Sequence, residues 1–90
     1  LDADKIRGRI LIRARKAGDR FQPLGMKADK KIGKFLTTAR IDPDIKSQVF
    51  VIEDEEKILW VAPVRISEMV KVDQKTCRVL RIQIKQIENV

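Results

Sequence analysis

Two short apolar runs, residues 49–52 and 57–62, are separated only by Glu53-Asp54-Glu55-Glu56, and they constrain this chain more than any other feature. Each run is too short for a helix and rich in Val, Ile and an aromatic, the composition of a strand. Joined by so short a link, they predict an antiparallel hairpin with its four acids at a solvated tip. Pro63 ends or edges the second strand, because proline cannot donate to a ladder. A chain of 90 residues supports one core only, so every other element has to be placed against this hairpin.

Between residues 30 and 40, Ile32, Phe35, Leu36 and Ala39 recur at i, i+3, i+4 and i+7, which predicts an amphipathic helix with Asp29 as its N-cap. Lys30, Lys31, Lys34 and Thr38 then project from the opposite face. Gly33 inside this helix costs about 1 kcal/mol relative to alanine. Asp42-Pro43 pairs a cap residue with proline at the first helical position and opens a short second helix to about residue 48. Residues 5–16 alternate, with Ile6, Gly8, Ile10, Ile12 and Ala14 on one face and Arg7, Arg9, Leu11, Arg13 and Arg15 on the other, so a half-buried strand with an arginine face is expected. Residues 17–25 read as a structured loop shaped by Gly18, Asp19, Pro23 and Gly25, with Phe21 and Leu24 packed inward. After the hairpin, residues 67–70 suit a turn or short helix and residues 73–75 a turn. Residues 76–87 suit a long strand with Leu80, Ile82 and Ile84 inward. The fold class that follows is α+β: one small domain over residues 1–90, a mainly antiparallel sheet, one amphipathic helix and a short second helix.

The net charge of +7 is unevenly placed. Residues 5–46 hold thirteen cations against four acids, an excess of nine, whereas residues 47–90 hold seven of each. A coat of lysine chosen for solubility would spread more evenly, so the first half is expected to meet a polyanion. Arg13, Arg15, Lys16 and Arg20 follow one another along the expected strand end and loop, and Lys27, Lys30, Lys31 and Lys34 gather at the helix start. Together they can neutralise a run of phosphates. Aromatic platforms for loose bases are few, since Phe21, Phe35, Phe50 and Trp60 are the whole inventory and Phe35 and Trp60 read as core. Phosphate contacts to a duplex are therefore favoured over base stacking.

Catalytic chemistry finds little support. With no histidine and only Cys77, neither a histidine-assisted nucleophile nor a zinc ligand set is available. No P-loop or dinucleotide-binding glycine pattern occurs, and the acids of residues 53–56 fit a solvated turn better than an acid–base pair. The longest apolar run, residues 58–64, is far short of the roughly 20 residues of a membrane helix. A single cysteine and the lack of a signal segment suit a reducing cytoplasm. The first methionine is Met26, so the chain is expected to begin inside a longer protein.

The string Lys-Ala-Gly-Asp-Arg-Phe-Gln-Pro-Leu-Gly-Met-Lys at residues 16–27, followed by Lys30-Lys31-Ile32 and Lys34-Phe35-Leu36, closely resembles the C-terminal domain of bacterial tRNA(Ile)-lysidine synthetase. The likeness continues through Pro43, Ile58-Leu59-Trp60-Val61, Arg65-Ile66-Ser67 and Val79-Leu80-Arg81-Ile82. It departs where the family usually has a glycine and this chain has Pro63, and where Lys46 and Phe50 replace the usual Arg and Pro, leaving loop shape at residues 46–50 and 62–65 open. The resemblance implies a parent ligase that uses ATP to activate the wobble cytidine of a minor isoleucine tRNA and joins lysine to it. It also implies that ATP belongs to a separate catalytic domain, with no cofactor in this chain, and that the C-terminal domain contacts the tRNA acceptor stem.

Residues and resemblance together assign tRNA phosphate contacts to Arg13, Arg15, Lys16, Arg20, Lys27, Lys30, Lys31, Lys34 and Arg65. Gly18, Asp19, Pro23 and Gly25 shape the loop that presents them. The expected partners are tRNA and the catalytic domain of the parent enzyme. The alternative is a protein-interaction module whose basic face docks an acidic partner, which would be retained after nuclease treatment.

Overall fold

The computed structural model describes residues 1–85. Its centre is the expected hairpin, β4 (Phe50–Glu53) and β5 (Ile58–Ala62), flanked by β1 (Leu11–Ala14) and β6 (Arg65–Ile66) in an antiparallel sheet of order β1-β4-β5-β6. A second, two-stranded sheet pairs β2 (Arg20–Phe21) with β3 (Lys30–Lys31). The helices are α1 (Ile32–Thr38) and α2 (Pro43–Gln48). The architecture is the expected α+β.

Both faces of the central hairpin are covered, which is why β5 reads as a continuous apolar run. On one face Ile32, Phe35 and Leu36 of α1, with Phe21, pack on Val49, Val51, Ile58 and Val61. On the other, Ile52, Leu59, Ala62 and Val70 gather Leu1, Ile6, Phe50, Trp60 and Ile82. The ladder pairs Ile52 with Trp60 but Glu53 with Ile58, so Leu59 is an extra residue in β5. That bulge turns Ile58 onto the α1 face and Leu59 onto the other. α2 begins as the capping pattern dictates, with the Asp42 side chain accepting from the Asp44 N–H.

Several sequence expectations are corrected. Only residues 11–14 of the expected strand 5–16 join the sheet, and Ala3–Lys5 form a 3-10 turn. The faces are also reversed: Ile12 is 63% exposed, while Arg13 is half-buried. Arg13 lies opposite Val51 on the α1 face, whereas Ile12, opposite Ile52, faces the side whose apolar cluster does not reach β1. Asp29 is not the cap of α1. The helix starts at Ile32, two residues later than expected and behind Lys31, with no side-chain cap, and the Ile32 N–H donates instead to the Asp19 carbonyl. The hairpin tip is not fully solvated, since Asp54 is buried and accepts from the Arg7, Glu56 and Lys57 backbone N–H groups and from Lys57 Nζ. Leu24 is exposed rather than inward, while Phe21 is buried as expected.

The long strand expected over residues 76–87 is absent from its described part. Val79 makes a single bridge to Asp2, Leu80 exchanges hydrogen bonds with Leu1, and Ile84 is 42% exposed. The segment pairs with the chain start rather than with a sheet edge, so its alternation is not enforced by a ladder. Ile87 lies outside the described residues.

Candidate nucleic-acid interface

The motif loop is positioned by hydrogen bonds to β6 and to the 3-10 turn Glu68–Val70 that follows it. Leu24 N–H donates to the Ile66 carbonyl at 3.0 Å, Glu68 N–H to the Gln22 carbonyl at 2.7 Å, and Gly25 N–H to Glu68 Oε1 at 3.1 Å. Met26 N–H closes a turn onto the Pro23 carbonyl, and the Gln22 side-chain amide donates to the Met26 carbonyl. Gly18 and Gly25 have φ of +89° and +86°, in the region that favours glycine, while a Cβ at either would meet nothing. Backbone conformation rather than space therefore calls for these glycines, and Pro23 is buried beside them.

This anchoring brings Lys27 alongside α1 and β6. Lys27, Lys30, Lys34 and Arg65 line one groove of about 710 Å³ together with Met26, Ala28, Phe35, Thr38 and Ala39. None of the four cations makes an ion pair among the described residues. The Arg65 guanidinium lies over the Phe35 ring, 5.1 Å from its centroid, within cation–π range. Phe35 in turn meets Phe21 edge-on at 5.4 Å. Three lysines and an arginine thus ring an apolar floor, and each keeps its N–H donors for an anion.

The other expected contacts do not line this groove and differ in their surroundings. Lys31 is exposed on β3 beside Lys30, and Lys16 is exposed in the loop after β1. Arg15 is exposed as well, with its Nη1 over the start of α1, 3.5 Å from where a Cβ on Gly33 would sit, an ordinary contact. Arg20 is half neutralised, pairing through Nε with Asp29 at 2.9 Å on the exposed surface. Arg13 stands apart from all of them.

Arg13 engages every N–H it has. Nε and Nη2 donate to Glu53, Nη1 and Nη2 to Asp19, and Nη1 also to the Ala14 carbonyl. Its side chain is only 16% exposed. The hydrogen bonds it donates to Asp19 and then to Glu53 raise its pKa against the opposing effect of burial, and those from Arg13 hold the Asp19 carboxyl below its usual range. Asp19 also accepts from the Lys16 N–H at 2.7 Å. Arg13 and Asp19 therefore build the loop, and no donor of Arg13 is left for a phosphate.

Sequence reasoning missed the groove floor. Phe35 and Ala39 were legible only as one apolar helix face and Met26 only as part of the motif. No local pattern shows that Met26, from the loop, and Arg65, from β6, meet them at the helix edge. Among the described residues, no helix is long and apolar enough to cross a membrane.

Comparison with known proteins bears on the same segment. The model of the family described as the TilS substrate C-terminal domain matches residues 10–84. The tRNA(Ile)-lysidine synthases of Caldanaerobacter subterraneus subsp. tengcongensis and Dehalococcoides mccartyi are both 39% identical, over 91% and 92% of this chain. That of Clostridium tetani is 42% identical over 92% of it. The chain spans 18% of the length of each of these relatives. A crystal structure of a TILS C-terminal domain aligns with a TM-score of 0.63 at 25% identity, over 80% of this chain and 56% of that one.

Proposed function

This chain belongs to the family of TilS substrate C-terminal domains, and from that premise we propose that it is the tRNA-contacting module of a cytoplasmic tRNA(Ile)-lysidine synthase. In this reading it grips the acceptor stem of the minor isoleucine tRNA. A separate catalytic domain, its partner within the parent ligase, binds ATP and joins lysine to the wobble cytidine. The observation that carries the reading is the convergence of Lys27, Lys30, Lys34 and Arg65, none of them ion-paired among the described residues, on a single groove. Lys31, Arg15 and Lys16 extend the positive surface beyond it, and Arg20 adds to it in part. Lysines and arginines so placed bind a polynucleotide by displacing its condensed counterions, so affinity has to fall steeply with salt.

The test is equilibrium binding of minor isoleucine tRNA across a salt series, for the chain and for a variant with Lys27, Lys30 and Lys34 replaced by alanine. Three lost phosphate contacts should weaken binding by about 10- to 30-fold near physiological salt and make the log–log salt slope shallower by about 2 to 3. An affinity indifferent to salt, or equal in the variant, removes the groove from the binding surface.

A further inference from the structure

The groove is more apolar than phosphate contacts require. A duplex backbone presents a convex, polar ridge of sugars and phosphates, which can lie across lysines but has nothing to fill a floor made of Met26, Phe35 and Ala39. A volume of about 710 Å³ lies within the range of pockets that enclose a small organic ligand, roughly 300–1,000 Å³. Above that floor sits the Arg65 guanidinium, its carbon 5.1 Å from the Phe35 centroid. The guanidinium is planar, and the side turned away from the ring is of the kind on which nucleobases stack. Phe35 itself is only 3% exposed, so the aromatic ring serves as the support and the arginine as the platform.

We propose, building on the tRNA-binding reading, that this groove receives one unpaired nucleotide adjoining the RNA duplex. Its base is stacked on Arg65 over the Met26–Phe35–Ala39 floor, and its flanking phosphates are held by Lys27, Lys30 and Lys34. The lysines account for attraction to any RNA. The floor and Arg65 account for a preference for RNA in which a base is free to enter. Arginine is required there because lysine is a point charge with no plane to stack.

The experiment compares three RNA hairpins of identical stem against the full chain: blunt, carrying a short single-stranded extension of normal nucleotides, and carrying an extension of the same length made of abasic nucleotides. The last two have equal phosphate charge, so their ratio isolates the base. A normal extension is expected to bind about fivefold or more tightly than the abasic one, and Arg65→Lys to bring that ratio to within about twofold of one. Circular dichroism and Trp60 fluorescence verify that the variant is folded. Equal affinity for normal and abasic extensions, with salt-dependent binding retained, overturns the stacking site and leaves the tRNA-binding reading standing. A ratio undiminished in Arg65→Lys overturns the role of the guanidinium. No binding of any hairpin at low salt overturns the underlying reading and this inference with it.

Discussion

Arg13 and Arg65 are both half-buried guanidiniums on the two edge strands of one sheet, yet their surroundings differ in kind. At the β1 edge Arg13 meets two carboxylates and is consumed as a cross-link between strand, hairpin and loop. At the β6 edge Arg65 meets an aromatic ring, which orients the group without neutralising it. The same division runs through the other cations. Lys5, Lys57 and Arg78 are tied to Asp73, Asp54 and Asp4, whereas Lys27, Lys30 and Lys34 make no ion pair among the described residues. A count of charges along a chain measures how much positive charge exists. What a partner feels is only the portion that the fold leaves unpaired, and four cations of that portion line one groove.

The sharpest way to break this contrast is Arg13→Ala. It would leave Asp19 and Glu53 facing each other in a partly buried site and release the loop from β1, so unfolding in urea should show a loss of about 2 to 3 kcal/mol. A loss under about 0.5 kcal/mol would mean that the clamp is ornamental and that Arg13 belongs with the surface cations.

A somewhat smaller effect is expected at the hairpin tip. Burial pushes the Asp54 carboxyl up, but hydrogen bonds from Lys57 and from the Arg7, Glu56 and Lys57 backbone outweigh it and bring the pKa down to about 2. Since the folded value lies below the unfolded one near 4, the ionised group stabilises the fold fully above pH of about 4, and this contribution disappears as pH falls toward about 2. Asp54→Asn should therefore cost about 2 kcal/mol at neutral pH and flatten the acid limb of a stability–pH curve. An acid limb identical in variant and parent would assign acid sensitivity to other carboxylates, Asp19 first among them.

Asp29→Ala is the mildest probe and tests the intermediate case. The Arg20–Asp29 pair is exposed on both sides, so stability should change by no more than about 0.5 kcal/mol. Freed of its acid, Arg20 should strengthen tRNA binding at low salt by about twofold. Weaker binding in this variant would show that Asp29 orders the neighbouring lysines rather than offsetting them.

Elements whose signals are local could be read before the fold was seen. Apolar runs of strand length around an acidic link are a hairpin wherever they occur, the i, i+3, i+4 spacing of Ile32, Phe35 and Leu36 marks one helix face, and Asp42-Pro43 starts a helix by its own geometry. Elements that failed were those in which a distant residue supplied the deciding contact. Asp29 has the chemistry of a cap, but the Asp19 carbonyl reached the first helical N–H. Asp54 looked like one of four solvated acids until the Arg7 backbone and Lys57 closed over it. Residues 76–85 alternate like a strand, yet they lie along the chain start with no ladder to hold the pattern.

By itself, then, the amino-acid order determined the hairpin, the helix face, the concentration of cations in residues 5–46 and, through the motif at residues 16–36, the family to which the chain belongs. Tertiary structure decided which cations are available and what they surround. Charge is a property of each side chain and survives any rearrangement, whereas pairing depends on distance. The distances that bring Arg13 to Glu53, or Arg65 to Phe35, span 40 and 30 residues of chain and exist only once the sheet and helix have packed.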